Sequence, residues 1–180
     1  KDLVSRNFAA ERIHFTTDPE IAIRKSKILM IAVGTPTDED GSTDLKYVFN
    51  VTKTIAEKME NKKIVVIKST VPIGTVNFVK ETLETTLAKR EKEIDFNVAC
   101  NPEFLKEGDA VNDFMKPDRI VLGCDDKYTE DILKSLYAPF LRSYGRCIVM
   151  DTKSAELTKY ASNSMLATKI SFMNEHSQIA

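Results

Sequence analysis

The chain has 180 residues, 42% hydrophobic and 29% charged, proportions that allow a compact domain with a real core. Its 26 lysines and arginines against 27 aspartates and glutamates give no field that would draw nucleic acid or an anionic membrane surface. No apolar run approaches the ~20 residues that span a bilayer, and Lys1 to Glu11 lacks the order of a signal peptide, so a cytoplasmic protein acting on a small molecule is expected. Cys100, Cys124 and Cys147 are odd in number, far apart and without a C-x-x-C pair, which argues against a disulfide framework and a zinc site.

In chain order, a short extended run, Ile13 to Thr16, precedes a helix over Asp18 to Lys25. Strands follow at Ile28 to Val33, Ile64 to Ile67, Phe96 to Cys100, Ile120 to Gly123 and Cys147 to Met150, several of them apolar on successive residues as strands covered on both faces are. Between them, Leu45 to Met59, Val76 to Leu87 and Ile132 to Phe140 carry apolar residues at helical spacing. A last helix, capped by Thr152 or Ser154, runs without Pro or Gly to Ala180, and its apolar residues occupy more than one face. That pattern predicts burial on several sides, as in a helix joining two domains or packing on a second subunit. The alternation of strand and helix predicts an α/β fold, a doubly wound parallel sheet of Rossmann type. Nothing before Ile28 reads as the strand, G-x-G-x-x-G turn and helix that open such a fold, so a sheet lacking its first strands is expected.

Ligands of open parallel sheets bind outside the carboxyl ends of the strands. Here those ends are Gly34-Thr35-Pro36-Thr37, Lys68-Ser69-Thr70-Val71-Pro72 and Asn101-Pro102-Glu103-Phe104-Leu105. Any one of Thr35, Ser69 and Thr70 alone reads as a helix cap; small hydroxyls at successive strand ends point to a phosphate, a ribose or a water. Glu103 and Glu107, four apart, share one side if their segment makes a helical turn; they then hold a water, or else form a solvated acidic turn. Lys159 and Asn163, also four apart, offer an ammonium and an amide to developing negative charge, the alternative being a surface pair of Lys159 with Glu156. His14 and His176 have no partners at ligand spacing, so no metal is expected. Arg142 and Arg146 are cations that no motif ties to a phosphate.

The ordered segments VGTPTDEDGSTDL, KSTVPIGT, NPEFLKEGDAVNDFMKPDRIVLG and SAELTKYASNSMLATKISFMNE together resemble the UDP-glucose 6-dehydrogenases of the UDP-glucose/GDP-mannose dehydrogenase family, from about Ile28 onward. The resemblance implies NAD as cofactor and UDP-glucose as substrate, oxidised twice at C6 to UDP-glucuronate. It implies that Val33, Gly34, Thr35, Pro36, Thr37, Ser69, Thr70, Val71 and Glu107 line the cofactor site. Thr70, Glu103, Lys159 and Asn163 match catalytic positions, with Glu103 the general base toward water, Thr70 beside that water, and Lys159 and Asn163 on the reacting oxygen. Glu103, Phe104, Leu105, Lys106, Glu107, Lys159 and Asn163 match substrate-binding positions. Residues 1–151 are then part of an NAD-binding domain, and 152–180 begin a central, dimerising helical domain through which a homodimer forms.

The family's glycine fingerprint, ribose-binding acid and Gly-x-Cys-Phe-Pro-Lys-Asp nucleophile have no counterpart here, and the three cysteines do not replace that nucleophile. An internal fragment, inactive alone, is therefore expected. The competing readings are a sibling acting on GDP-mannose or a UDP-N-acetyl sugar, a non-catalytic nucleotide-binding or dimerisation module, and an unrelated doubly wound domain.

Overall fold

The computed structural model of the chain describes residues 2–141 and 146–179. Helices α1 (Asp2–Ala9) and α2 (Pro19–Lys25) precede β1 (Ile28–Ile31); α3 (Lys46–Lys58), β2 (Lys63–Ile67), α4 (Thr75–Lys89) and β3 (Phe96–Cys100) follow. Then come α5 (Ala110–Met115), β4 (Arg119–Gly123), α6 (Lys127–Tyr137) with a 3₁₀ turn at Ala138–Phe140, β5 (Arg146–Met150) and α7 (Thr152–His176). The helix over α2 starts as its sequence predicts: Asp18 accepts the amides of Glu20 and Ile21 ahead of Pro19. The run before it, Ile13 to Thr16, joins no sheet among the described residues. Helices α1 and α5 carry no buried residue, which is why no apolar stripe announced them.

The strands form one sheet in the order β1-β2-β3-β4-β5. Neighbours run parallel except β3 and β4, which meet antiparallel through the single pair Cys100 and Gly123. The sequence predicts a parallel sheet throughout; the reversal arises because β3 and β4 are joined not by a crossover helix folding back over the sheet but by the segment 101–118, which stays beyond the end of β3. β2 lies in the interior, and its side chains alternate between two cores as the two-residue period requires. Val65 and Ile67 join Val48, Ile55 and Ala56 of α3, Val76, Val79 and Leu83 of α4 and Ala155 of α7. Ile64 and Val66 join Leu122 of β4 with Leu133 and Tyr137 of α6 on the other face. This double coverage explains the unbroken apolar run IVVI.

The last helix is capped by Asp151, which accepts the Ser154 amide at 2.9 Å, rather than by Thr152 or Ser154. Asp151 is extended while Thr152 already lies in the first turn. Only the start of α7 is buried against the sheet; from Asn163 to Ile179 every residue is exposed, including Met165, Leu166, Ile170, Phe172 and Met173.

The approach of α7 to the sheet depends on one glycine. A Cβ added at Gly123 would stand 2.6 Å from Ala155 Cβ, 3.0 Å from Thr152 Cα and 3.2 Å from Cys100 Cβ. Two of those neighbours belong to α7 and none is a flexible side-chain end. Gly123→Ala is therefore expected to destabilise the fold by about 1–3 kcal/mol through overpacking, read from the midpoint of urea unfolding. A midpoint unchanged from the parent protein would refute it.

Candidate active site

The ends of β1 and β2 are tied together by hydroxyls. Ser69 Oγ accepts the Val33 amide at 2.9 Å and donates to the Val33 carbonyl at 2.7 Å. Thr35 Oγ1 donates to the Thr70 carbonyl at 3.0 Å, and the Lys68 and Ser69 amides both reach the Ile31 carbonyl. Ser69 and Thr35 are thus cross-strand clamps rather than caps, since α4 begins only at Thr75. Beyond them Gly34 is exposed with open space where a Cβ would project, Pro36 is exposed, and Thr37 forms an isolated bridge to Thr43. The Thr43 hydroxyl meets Tyr160 OH of α7 at 3.0 Å, so this loop is moored to the last helix. Val71 points into the core, 3% exposed, and contributes packing.

The end of β3 is held from three directions. The Asn101 amide donates to the Ile67 carbonyl and its Nδ2 to the Val121 carbonyl, both at 2.9 Å, while its Oδ1 accepts from Tyr137 OH. With Asn101 bound to the sheet and Pro102 buried behind it, residues 101–106 continue as irregular backbone. The helical turn that would pair Glu103 with Glu107 does not form. The chain turns only at Glu107 to Asp109, where Gly108 takes φ +90°, and Glu107 is exposed without a side-chain hydrogen bond among the described residues. Lys106 is committed to α5: its amide donates to Asp113 at 2.8 Å, and its ammonium stands 3.4 Å from the same carboxylate.

From the other side α7 delivers Lys159, whose Nζ donates to the Glu103 carbonyl and lies 5.2 Å from the centroid of Phe104. Arg119 stacks on the same ring at 4.5 Å. Burial pulls the Lys159 ammonium below the ordinary lysine value, and the nearby Glu103 charge offsets part of that. Lys159 does not pair with Glu156. That glutamate, 1% exposed, turns away and accepts the amides of Gly74 at 2.7 Å and Val76 at 2.8 Å at the start of α4. Asn163, one turn beyond Lys159, is exposed and makes no side-chain hydrogen bond among the described residues.

A cavity of about 320 Å³ opens beside this cluster, bounded by Lys68, Glu103, Phe104, Leu105, Arg119 and Tyr137, with Lys106 at its rim. Of the sequence-predicted residues, the structure brings Glu103, Phe104 and Lys159 into contact and links Val33 to Ser69 and Thr35 to Thr70. Glu107 and Asn163 join neither group among the described residues. From sequence Lys68 is only part of a strand end and Glu156 only a surface partner for Lys159, and Arg119 has no distinctive spacing, so none of the three is read as part of this cluster. Arg142 lies outside the described residues, and Arg146 is exposed opposite Arg119 in the β4–β5 ladder.

The thiols are unsuited to nucleophilic work. Burial is the first cause pushing Cys100 and Cys124 up to about 12, and it also raises Cys147. The described residues contain no group of three or more His, Cys, Asp and Glu arranged to hold a metal. Alkylation of Cys100 and Cys124 by iodoacetamide at pH 8 is expected to be roughly 10³-fold slower in the native chain than in the urea-unfolded chain, as the thiolate fraction dictates. Mass-spectrometric labelling rates measure this, and equal rates in both states would refute it.

The profile of the UDP-glucose/GDP-mannose dehydrogenase family, NAD binding domain, matches residues 1–141, and that of the family's central domain matches residues 153–180. A UDP-glucose 6-dehydrogenase of Pseudomonas aeruginosa is 47% identical over 166 residues, 92% of this chain and 37% of the relative. Among solved structures, a UDP-glucose dehydrogenase from Pyrobaculum islandicum aligns with TM-score 0.85 and 39% identity over 97% of this chain and 40% of its own. A GDP-mannose dehydrogenase from Pseudomonas aeruginosa aligns with TM-score 0.86 and 35% identity over 97% and 40%. The chain therefore spans well under half the length of these relatives.

Proposed function

Because the chain belongs to the UDP-glucose/GDP-mannose dehydrogenase family, whose NAD-binding domain it carries, we propose that the full-length protein oxidises UDP-glucose at C6 to UDP-glucuronate in two NAD-dependent steps. The observation that carries this reading is the convergence of a half-buried Lys159 on Glu103 and Phe104 beyond the strand ends, where a doubly wound sheet binds its ligands.

Lys159 holds the C6 oxygen and stabilises the negative charge it gains as the hydroxyl is oxidised, and Asn163 adds a neutral donor from one turn further on. Glu103 takes the proton of the water that completes the second oxidation, and Thr70 orients that water through its hydroxyl. Phe104, Leu105 and Lys106 wall the sugar side, with Glu107 between sugar and cofactor. NAD, when bound, supplies the hydride acceptor. The residues that would hold it are Val33 to Thr37 and Ser69 to Val71: the open space at Gly34 admits a ligand close to the backbone, and the Ser69 and Thr35 clamps keep both strand ends fixed.

Residues 1–151 then form part of the NAD-binding domain, and 152–180 open a central domain whose exposed Met165, Leu166, Ile170, Phe172 and Met173 are covered in a homodimer. No helix among the described residues is long and apolar enough to cross a membrane. The 180 residues alone are expected to be inactive, because none of Cys100, Cys124 and Cys147 lies in a segment like the family's Gly-x-Cys-Phe-Pro-Lys-Asp nucleophile.

The test is NADH release by the full-length protein with UDP-glucose, GDP-mannose and UDP-N-acetyl sugars offered separately. Two NADH per UDP-glucose supports the proposal. The likeness to a GDP-mannose dehydrogenase favours GDP-mannose as the second reading, and turnover of that sugar alone would replace the first with it. Turnover of none removes both.

A further inference from the structure

A second lysine addresses Glu103. Lys68 follows the last residue of β2, and its amide donates to the Ile31 carbonyl at 2.9 Å, so its stem leaves from fixed backbone. Its side chain is 15% exposed and passes over Phe114, 6.0 Å from the ring centroid, and its Nζ stands 3.9 Å from Glu103 Oε2. Glu103 is thus met at two separate points, the carbonyl by Lys159 and the carboxylate by Lys68. Asn101 and Pro102 fix the backbone that carries it, but its side chain, 44% exposed, has several torsions free, and among the described residues Lys68 is the charged partner that meets its carboxylate.

We propose that Lys68 is a positioning residue that aims the Glu103 carboxylate into the site, at the reacting water. This rests on the reading of Glu103 as general base and deepens it. A carboxylate steered by a half-screened ammonium keeps one direction where a free Glu side chain averages over many, and misplacement of a reacting group by about 1 Å costs on the order of 10² in rate. Lys68 lines the same cavity as Glu103, so this steering occurs at its wall and not on open surface.

The experiment is a double-mutant cycle on the full-length protein with UDP-glucose, following NADH. Lys68→Met is expected to lower kcat about 10- to 100-fold with the KM for NAD changed less than about twofold, and Lys68→Arg to recover most of the loss. In the Glu103→Gln background, Lys68→Met should cost less than about twofold more, since there is no carboxylate left to aim. Equal costs in both backgrounds would overturn the inference while leaving Glu103 its role. Full activity of Glu103→Gln would instead remove the reading beneath it. If Lys68→Met does not fold, Lys68→Gln, which keeps a polar head, is judged by the same comparison.

Discussion

Replacing Lys159 by alanine in the full-length protein is expected to lower kcat for NADH formation by about 10²–10³-fold, the usual cost of deleting one preorganised donor to a developing oxyanion. Three observations set that magnitude. The ammonium is half-buried, so its charge is less screened than a surface lysine's; it already donates to the Glu103 carbonyl, so its head is placed before substrate arrives; and the Phe104 ring beside it limits where it can move. Lys159→Arg is not a conservative repair, because a planar guanidinium would compete with Arg119 for the Phe104 face. The pH dependence carries a second signature. Burial depresses the ammonium below the ordinary value of 10.5, so activity should fall on the alkaline side before that pH, as Lys159 gives up its proton. The alanine variant should lack this limb. A kcat within about tenfold of the parent would show that Lys159 is not the principal electrostatic group.

Legibility in the sequence followed burial and period. Every sheet strand was found within a residue or two of its ends: β2 is buried along its whole length and reads as an unbroken apolar run, and the shortness and β-branched content of the other runs mark them as strands although Met30 of β1 and Ile148 of β5 stay exposed. Helices α1 and α5 escaped because they bury nothing, and the antiparallel step at β3–β4 escaped because strand direction depends on where the 101–118 connection goes, which residue type does not record. At the site, the segments NPEFLKEG and ELTKYASN were visible as motifs, yet the partners inside them were not. The spacing of Lys159 and Glu156 on one helix suggests an ion pair, but in space Glu156 turns to the start of α4 and Lys159 to the Glu103 carbonyl. Spacing along a helix names which residues share a face only when packing leaves both side chains free to meet.

That buried glutamate gives the largest expected stability effect. Glu156 accepts the Gly74 and Val76 amides at the N-terminus of α4, where the first amides have no partner within the helix and the helix dipole favours a negative charge. Glu156→Ala strands both donors, and with each charged hydrogen bond worth about 1.5–3 kcal/mol the loss should be about 3–5 kcal/mol, lowering the unfolding midpoint by roughly 10 °C. Glu156→Gln should cost less, about 1–2 kcal/mol, because its carbonyl serves one amide while its NH₂ opposes the other. Burial, the first cause, raises the Glu156 carboxyl above its ordinary 4.5 despite the amides that favour its charge. The folded chain therefore binds this proton more tightly than the unfolded chain. The associated stability is fully present below about 4.5 and is lost as pH rises through the raised folded value, so the advantage of the parent over Glu156→Gln should shrink across that window. Thermal unfolding of both proteins over a pH series measures it, and an advantage that grows with pH would contradict it. Since Lys159 rides less than one turn beyond Glu156 on α7, the same carboxylate that closes the start of α4 also fixes the helix from which the ammonium reaches Glu103.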